Sequence, residues 1–331
     1  MAKLLFALLF LALAGCAPRL QPSGTTQTTP ALLENAWRAE DGAVMPLRSW
    51  QPEAPRQPQA VILALHGFND YGNGFADPAA WWARERGIAL YAPDQRGFGA
   101  APYPGLWAGA ERMQADLKEL TRLLRKQHPG RPLFWLGESM GGAVLLAALA
   151  EPDNTNLPDG AILVGPAVWG RATMPLSYRV TLALSSHILP WLRLSGRGLG
   201  IQASDNIPML RRYSADPLVI KQTRIDAVYG LVNLMDAALA AGPRLDPALP
   251  LLLLYGVNDQ VIRKEPVERF AARLGGQRRI AVYDTGWHML LRDLQAERVW
   301  RDIAAWINDP AAALPSGREA TTQPLFPQEK N

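Results

Sequence analysis

Residues 137–141 read Gly-Glu-Ser-Met-Gly and stand between two apolar runs of different character. The preceding run, 133–136, has the length and composition of a buried strand, and the following run, 142–150, is rich in Ala and Leu, as a helix would be. A strand-to-helix turn this tight tolerates almost no side chain beside the serine, which explains the two flanking glycines. The turn leaves the hydroxyl of Ser139 at the end of a sheet and makes it a candidate nucleophile.

Strand-like and helix-like segments alternate through the middle of the chain, which predicts an α/β fold with a mostly parallel central sheet flanked by helices. Residues 168–242 interrupt this alternation with a mainly helical pattern, and we interpret them as a helical cap inserted over the site. The candidate strands are residues 61–65, 88–92, 133–136, 161–164, 251–255 and 279–283, and the candidate helices are residues 78–86, 111–128, 140–150, 265–274 and 294–306.

The composition is that of an ordinary folded domain, with 48% hydrophobic and 19% charged residues. The net charge of +4 comes from basic residues scattered among acidic ones, which argues against nucleic acid as a partner. We expect the folded domain to span residues 31–311. The flanking segments 16–30 and 312–331 are polar and aperiodic, so we expect a flexible tether and a disordered tail respectively.

The N-terminus carries a targeting pattern. Lys3 precedes an apolar stretch over residues 4–14, too short to span a membrane, and small residues lead to Cys16, the only cysteine. This pattern resembles a bacterial lipoprotein signal peptide, which implies that residues 1–15 are removed and that the Cys16 thiol carries lipid. An ordinary secretory signal with an incidental cysteine is the alternative. Ala17 after the cysteine favours the outer membrane if the host is Gram-negative, so we expect a lipid-anchored protein of the cell envelope.

A serine nucleophile needs a general base within hydrogen-bond reach. Of the four histidines, His288 follows the last predicted strand, where a loop can carry an imidazole over the sheet edge, and we assign it the base. His66 follows the first candidate strand and is predicted to brace its loop. His128 and His187 are interpreted as surface or packing residues.

The base must in turn be oriented by a carboxylate that leaves a strand between the serine and the histidine in chain order. Asp259 lies just past the candidate strand 251–255 and is favoured for this role. Asp284 is the alternative, because it is nearer to His288 in sequence. However, it ends the strand that delivers the histidine and is expected to face away.

The negative charge that develops on a tetrahedral intermediate needs two backbone N–H donors. We expect one from Met140, which follows the nucleophile and opens a helix, so that the helix dipole adds to its effect. The second is expected from Phe68, in the loop after strand 61–65, where Gly67 lets the backbone approach closely.

Five segments together carry a family resemblance. They are Leu65-His66-Gly67-Phe68, Tyr91-Ala92-Pro93-Asp94-Gln95-Arg96-Gly97-Phe98-Gly99, Gly137-Glu138-Ser139-Met140-Gly141, residues 256–259, and Gly286-Trp287-His288. In combination they resemble the monoacylglycerol lipase and lysophospholipase branch of the α/β-hydrolases, often described as serine aminopeptidase-like. The resemblance spans roughly residues 31–311 and implies the α/β-hydrolase fold.

The resemblance implies that Ser139 is the nucleophile, Asp259 the orienting acid and His288 the base, with Phe68 and Met140 as oxyanion donors. It also implies a small-molecule acyl-ester substrate and no metal or organic cofactor. The chain departs from the family pattern in the loop after Arg96, with Phe98 where many relatives carry a second histidine and Ala100-Ala101 where a serine is common. Because Asp94 and Arg96 give that loop a structural role, the departure bears on substrate details rather than on the triad.

Three functions fit these residues. A lipid-anchored esterase for monoacylglycerols, lysophospholipids or related acyl esters is favoured, since an apolar cap and a membrane anchor both suit acyl chains. An aminopeptidase with the same triad would need a cap carboxylate to bind a free amino group, and the candidates are Asp205, Asp216, Asp226 and Asp236. A noncatalytic envelope binding module is the third function, although such a protein would normally have lost one of the three catalytic side chains.

Overall fold

The computed structural model describes residues 17–22, 24, 26–152, 155–320 and 325–326. The strands in this part of the chain are β1 (Ala31–Leu32), β2 (Ala36–Arg38), β3 (Val44–Trp50), β4 (Ala60–Leu65), β5 (Ile88–Pro93), β6 (Leu133–Glu138), β7 (Gly160–Val164), β8 (Arg193–Ser195), β9 (Gln222–Arg224), β10 (Leu251–Gly256) and β11 (Arg278–Tyr283). The helices are α1 (Ala76–Trp81), α2 (Ala110–Gln127), α3 (Met140–Leu149), α4 (Leu176–Ile188), α5 (Ile207–Ala215), α6 (Ile225–Ala241), α7 (Lys264–Ala271) and α8 (Ala296–Asn308).

The central sheet of the described residues has nine strands in the order β1-β2-β3-β5-β4-β6-β7-β10-β11. The six strands from β5 to β11 in that order are mutually parallel, so their carboxyl ends meet at one edge. These six are the strands that the sequence predicted, each within two residues of the expected bounds. The predicted α/β-hydrolase architecture is therefore confirmed.

The sequence did not predict the antiparallel strands β1, β2 and β3 at one edge of this sheet. In β3, buried residues alternate with more accessible ones and Pro46 interrupts the segment, so no continuous apolar run marks it. An edge strand with one solvated face carries this weaker pattern, unlike the doubly covered parallel strands.

Helices cover both faces of the sheet. Neighbouring residues of a strand point to opposite faces, so Leu63 packs with α2, α3 and α6, while Ile62 packs with α1 and α8. Trp82 and Trp306 are fully buried on the second face. Because both faces are covered, β4, β5, β6, β7 and β10 are buried along their whole length and mainly apolar, which made them recognisable in the sequence. The edge strand β11 begins with Arg278 and Arg279 and is only partly buried.

The insertion between β7 and β10 contains α4, the two-stranded β8–β9 sheet, α5 and α6. Helix α6 packs against α3 and is largely buried, so it belongs to the core layer of the domain. The part of the insertion that lies outside the core is therefore shorter than the predicted cap of 168–242. Within the described residues, the helical stretch Ile225–Arg244 is long and apolar enough to cross a membrane, but 56% of its apolar window is buried in the domain. Such burial is typical of a core helix.

The N-terminal segment does not run free where the structure describes it. Gln21 is buried, its backbone N–H donates to the Trp107 carbonyl at 2.9 Å, and its side-chain amide donates to the Leu106 carbonyl at 2.7 Å. Thr28 N–H donates to the Glu40 carbonyl at 2.7 Å. The predicted flexible tether is thus wrong for these residues, since a polar segment can be held by hydrogen bonds to exposed backbone groups without an apolar face. Cys16 and the predicted signal peptide 1–15 lie outside the described residues.

The C-terminal segment also packs on the domain. Glu319 forms an isolated bridge with Ala281 of β11 and an ion pair with Arg279 at 2.6 Å. Phe326 is buried with its ring centroid 5.2 Å from that of Tyr255. The prediction of a disordered tail is therefore wrong for residues 312–320 and 325–326, because pairing along an edge strand gives no periodic signal in the sequence.

Candidate active site

Ser139 sits on the sharp turn between β6 and α3. Its backbone has φ 52° and ψ −114°, a strained combination for a residue with a side chain. A Cβ atom on Gly137 would lie 2.5 Å from the Gly142 nitrogen, and one on Gly141 would lie 2.1 Å from the Leu65 carbonyl oxygen. Glycine is therefore required at both positions, and the predicted turn that exposes the serine is present.

Asp259 and His288 are paired beside this turn. His288 Nδ1–H donates to Asp259 Oδ2 at 2.8 Å, and Asp259 Oδ1 accepts the N–H groups of Val261 and Ile262 at 2.7 and 2.8 Å. The carboxylate is fully buried and held from both oxygens, so it orients the imidazole and leaves Nε2 available as the basic nitrogen. The structure therefore joins the two residues that the sequence selected as acid and base.

Burial by itself lowers the pKa of the His288 imidazole, but the adjacent Asp259 carboxylate outweighs burial, and the pKa lies above its ordinary value. The rival carboxylate, Asp284, is half exposed and pairs with Arg318 at 2.9 Å. Asp284 thus faces solvent, as its place at the end of β11 suggested.

The carbonyl of Val164 and the adjoining Gly165 lie between the serine and the histidine. Ser139 N–H donates to the Val164 carbonyl at 2.9 Å, and a Cβ atom on Gly165 would lie 3.4 Å from His288 Nδ1 and 3.6 Å from Asp259 Oδ2. The three predicted triad residues thus converge on the same carboxyl end of β7. Within the described residues no hydrogen bond joins the Ser139 hydroxyl to His288, so this third contact of the triad stays a prediction.

The loop after β4 also reaches the serine. A Cβ atom on Gly67 would lie 3.3 Å from Ser139 Cβ, so the backbone leading into Phe68 lies close to the nucleophile. His66 braces this loop: its Nδ1–H donates to the Gly67 carbonyl at 2.8 Å, and its Nε2 accepts the Gln95 N–H at 3.0 Å. Burial lowers the pKa of His66, which suits the neutral ring that this pattern requires. Phe68 and Met140 therefore flank the serine on two sides, and their role as oxyanion donors stays a prediction.

A buried charged cluster next to the triad was not predicted. Arg292 donates to Asp70 Oδ2 at 2.6 Å and to Glu138 Oε2 at 3.0 Å, and its guanidinium lies 5.5 Å from the centroid of the Tyr213 ring. Burial raises the pKa of Glu138, and the neighbouring Arg292 opposes this shift. The sequence did contain a signal for this cluster: Glu138 is an acidic residue at the end of an apolar strand, and a buried carboxylate requires a partner.

The remaining histidines and the loop after β5 have structural roles, as expected. His128 Nε2 lies 2.7 Å from the Tyr91 hydroxyl, and His187 is exposed on α4. Asp94 is fully buried and accepts hydrogen bonds from the N–H groups of Gly72 and Ala100. Arg96 bridges two carboxylates, those of Asp41 and Asp116.

A family model described as "Serine aminopeptidase, S33" matches residues 56–295, which include the turn at Ser139, the Asp259–His288 pair and the whole insertion between β7 and β10. The chain belongs to this serine aminopeptidase family. The match covers well over half of the sequence.

Individual relatives agree on fold and on reaction type. Monoglyceride lipase of Mus musculus is 26% identical over 314 residues, which cover 91% of this chain and 97% of the mouse enzyme. Monoacylglycerol lipase of Mycolicibacterium smegmatis is 24% identical over 271 residues, covering 78% of this chain and 90% of that one. The crystal structure of a soluble variant of monoglyceride lipase from Saccharomyces cerevisiae, in complex with a substrate analog, superimposes with a TM-score of 0.70 at 18% identity, covering 88% of this chain and all of that one.

Proposed function

We propose that this protein is a serine hydrolase that cleaves carboxylic esters of acyl lipids, of the monoacylglycerol or lysophospholipid type, through an acyl-enzyme on Ser139. The observation that carries the proposal is the buried Asp259–His288 pair beside the strained Ser139 turn. Ester hydrolysis needs a nucleophile, a base and an oriented carboxylate in one place, and the carboxyl end of the sheet holds all three.

In the proposed reaction, the Ser139 hydroxyl attacks the ester carbonyl and passes its proton to His288 Nε2. The Phe68 and Met140 N–H groups stabilise the resulting oxyanion, and the buried Asp259 carboxylate stabilises the imidazolium. The tetrahedral intermediate then collapses, the C–O bond to the alcohol breaks, and His288 gives its proton to the departing alcohol. A water molecule, activated by the now neutral His288, hydrolyses the acyl-enzyme by the same steps and releases the fatty acid.

Two features support an acyl-lipid substrate. The curated relatives named above are lipases of monoacylglycerols. In addition, the outer part of the insertion is rich in exposed apolar side chains, among them Leu176, Leu184 and Leu199. Exposed apolar side chains in the insertion suit a lipid rather than a freely soluble substrate.

The family description also names an aminopeptidase, and such an enzyme must bind a free amino group. Each cap carboxylate considered for that task already has a partner. Asp205 accepts the Leu294 N–H, Asp216 accepts the Tyr71 hydroxyl, Asp226 pairs with Arg224, and Asp236 pairs with Arg171. A carboxylate that is committed to an ion pair or hydrogen bond binds a second cation less well, so these contacts favour the esterase. Assays with acyl esters beside aminoacyl anilides distinguish the two activities.

A fluorophosphonate probe tests the proposal directly, because it captures an activated serine. Labelling is expected at Ser139 and is expected to disappear in Ser139→Ala and His288→Ala. Either substitution should lower kcat for p-nitrophenyl and glyceryl esters by about ten-thousandfold or more. Labelling that persists in Ser139→Ala would refute the assignment of Ser139 and point to another activated serine, whereas no labelling of the wild type would favour a noncatalytic protein.

We further propose that the chain is anchored in the cell envelope by lipid on Cys16, in the outer membrane if the host is Gram-negative. The support is the sequence pattern alone: a short apolar stretch, small residues and then the single cysteine. The Cys16→Ser variant should move from the membrane fraction to the soluble fraction or retain its uncleaved signal peptide. Unchanged fractionation with normal processing would show that the cysteine is incidental.

A further inference from the structure

The outer part of the insertion exposes apolar side chains on a scale that single surface residues do not explain. Helix α4 is exposed over nearly its whole length, and the segment that follows it continues the exposure. We name the apolar cap surface by its six members, whose exposed fractions range from 49% to 69%: Leu176, Leu184, Ile188, Trp191, Leu194 and Leu199. So many exposed large apolar side chains within one short segment indicate a binding face.

The charged residues between positions 176 and 215 are mostly basic. The five arginines between residues 176 and 215 are all exposed: Arg179, Arg193, Arg197, Arg211 and Arg212. The one acidic residue in this interval, Asp205, is half buried and accepts the Leu294 N–H at 2.9 Å. Exposed apolar side chains interspersed with exposed arginines along one segment match a bilayer that contains anionic phospholipids, because the apolar side chains enter the interface while the guanidinium groups meet the head groups.

The N-terminal segment enters the fold beside the same surface. The Arg19 N–H lies 3.4 Å from Asp226 Oδ2, and the Asp226 N–H donates in turn to the Pro190 carbonyl at 3.1 Å. The preceding residue contacts the same segment: the Ile225 N–H donates to the Leu192 carbonyl at 2.9 Å. Arg19 is therefore bonded to a residue that itself holds the 190–192 segment, in which Trp191 belongs to the apolar cap surface.

Cys16 precedes Arg19 by three residues, and three peptide units span at most about 11 Å. We propose that the lipid on Cys16 and the apolar cap surface bind the same bilayer, so that the enzyme is held at two points with a fixed orientation. This inference rests on the proposed lipidation of Cys16. A single anchor on a long free linker would let the domain turn, whereas the contacts at Arg19 and Gln21 prevent this and bring the cap to the membrane.

The test uses the purified full-length lipidated protein, reconstituted in vesicles of phosphatidylcholine with phosphatidylglycerol and treated with trypsin. Arg197 lies in the chain between Leu194 and Leu199, two members of the apolar cap surface. Arg56 is an exposed internal reference in the loop before β4, at the opposite end of the sheet from the carboxyl ends. Cleavage after Arg197, measured relative to cleavage after Arg56, is expected to be slower by about tenfold on these vesicles than for the variant described next. Protection should be weaker on phosphatidylcholine alone.

The double variant Leu176→Asp/Leu184→Asp places negative charge on the apolar cap surface and leaves the residues around the Arg197–Gly198 bond, which trypsin cuts, unchanged. It should float with the vesicles through its anchor and yet lose the protection of Arg197. Leu33→Asp is the matched control, since Leu33 is 43% exposed and lies outside the insertion. Both variants should hydrolyse the soluble ester p-nitrophenyl butyrate at the wild-type rate, which verifies their folding.

The outcomes separate this inference from the proposals beneath it. The wild-type protein could float with the vesicles and yet be cut after Arg197 as fast as the double variant. That result would overturn the proposal that the apolar cap surface binds the same bilayer as the lipid anchor. Protein that leaves the vesicles when detergent is removed would overturn both the anchor and this inference. If Arg197 is protected but the protein hydrolyses no ester, the membrane docking stands and the proposed hydrolase function is refuted.

Discussion

Arg292 lies 3.0 Å from Glu138, and Glu138 directly precedes the nucleophile Ser139. The same guanidinium contacts Asp70, in the loop that carries Phe68, at 2.6 Å. One buried cation thus connects the turn of the serine, the loop of the predicted oxyanion donor and the segment that follows His288. One carboxylate of this cluster, Glu138, lies near enough to His288 to raise the pKa of its imidazole.

Glu138→Gln is expected to move the acidic limb of the pH profile of kcat/KM to lower pH. Burial lowers the pKa of His288, whereas Asp259 and, to a lesser extent, Glu138 raise it. His288 acts as a base only when neutral, so activity falls as the pH drops through this raised pKa. Removing the Glu138 charge lowers the pKa and extends activity to more acidic solution.

The control for this change is Glu151→Gln, the same substitution at an exposed carboxylate. Its acidic limb should coincide with that of the wild type. An acidic limb of Glu138→Gln that stays in place or moves to higher pH would show that Glu138 carries no charge felt by His288.

Asp259→Asn should reduce kcat by about a thousandfold to ten-thousandfold, because the amide cannot stabilise the imidazolium or hold the required tautomer. Asp284→Asn should change kcat less than about twofold, since this carboxylate is half exposed and its ion pair with Arg318 is screened by solvent. Steady-state kinetics on one ester substrate compares the two. A larger loss in Asp284→Asn would transfer the orienting role to that residue.

Arg292→Met should lower the free energy of unfolding by about 3–5 kcal/mol, because it leaves the carboxylates of Asp70 and Glu138 buried without their cation. Chemical denaturation at neutral pH measures this loss. The comparison is Arg84→Met, whose exposed pair with Glu85 contributes at most about 1 kcal/mol. Equal stability of the two variants would mean that water or protonation compensates the carboxylates of Asp70 and Glu138 for the loss of Arg292.

Phe326→Ala should cost about 3 kcal/mol of unfolding free energy, since the ring is buried against Tyr255. Leu33→Ala, at an exposed apolar position, should cost less than about 0.5 kcal/mol. Thermal and chemical denaturation report both values. If the Phe326→Ala protein is as stable as the wild type, packing of Phe326 against Tyr255 contributes nothing to folding, as expected for a disordered tail.

Much of the fold could be predicted because its information is local. Five of the six parallel strands, all except β11, are buried along their whole length and are therefore short, mainly apolar runs. Gly137 follows from backbone contacts within the turn at Ser139. The antiparallel strand β3 was missed because its alternating exposure and Pro46 weaken that pattern. The ordered ends were missed because hydrogen bonds to backbone, such as those of Gln21, require no apolar periodicity.

The sequence by itself determined the order of strands and helices, the sharp turn at Ser139 and the two candidates for the orienting acid, since these depend on neighbours along the chain. Only the tertiary structure decided that Asp259 rather than Asp284 meets His288, that Arg292 joins Asp70 to Glu138, and that Arg19 lies beside the insertion. These are contacts between residues 29 to 222 positions apart. Partners at such separations are selected by how the sheet and its loops pack, because burial leaves a charged group stable only where the fold supplies its counterpart.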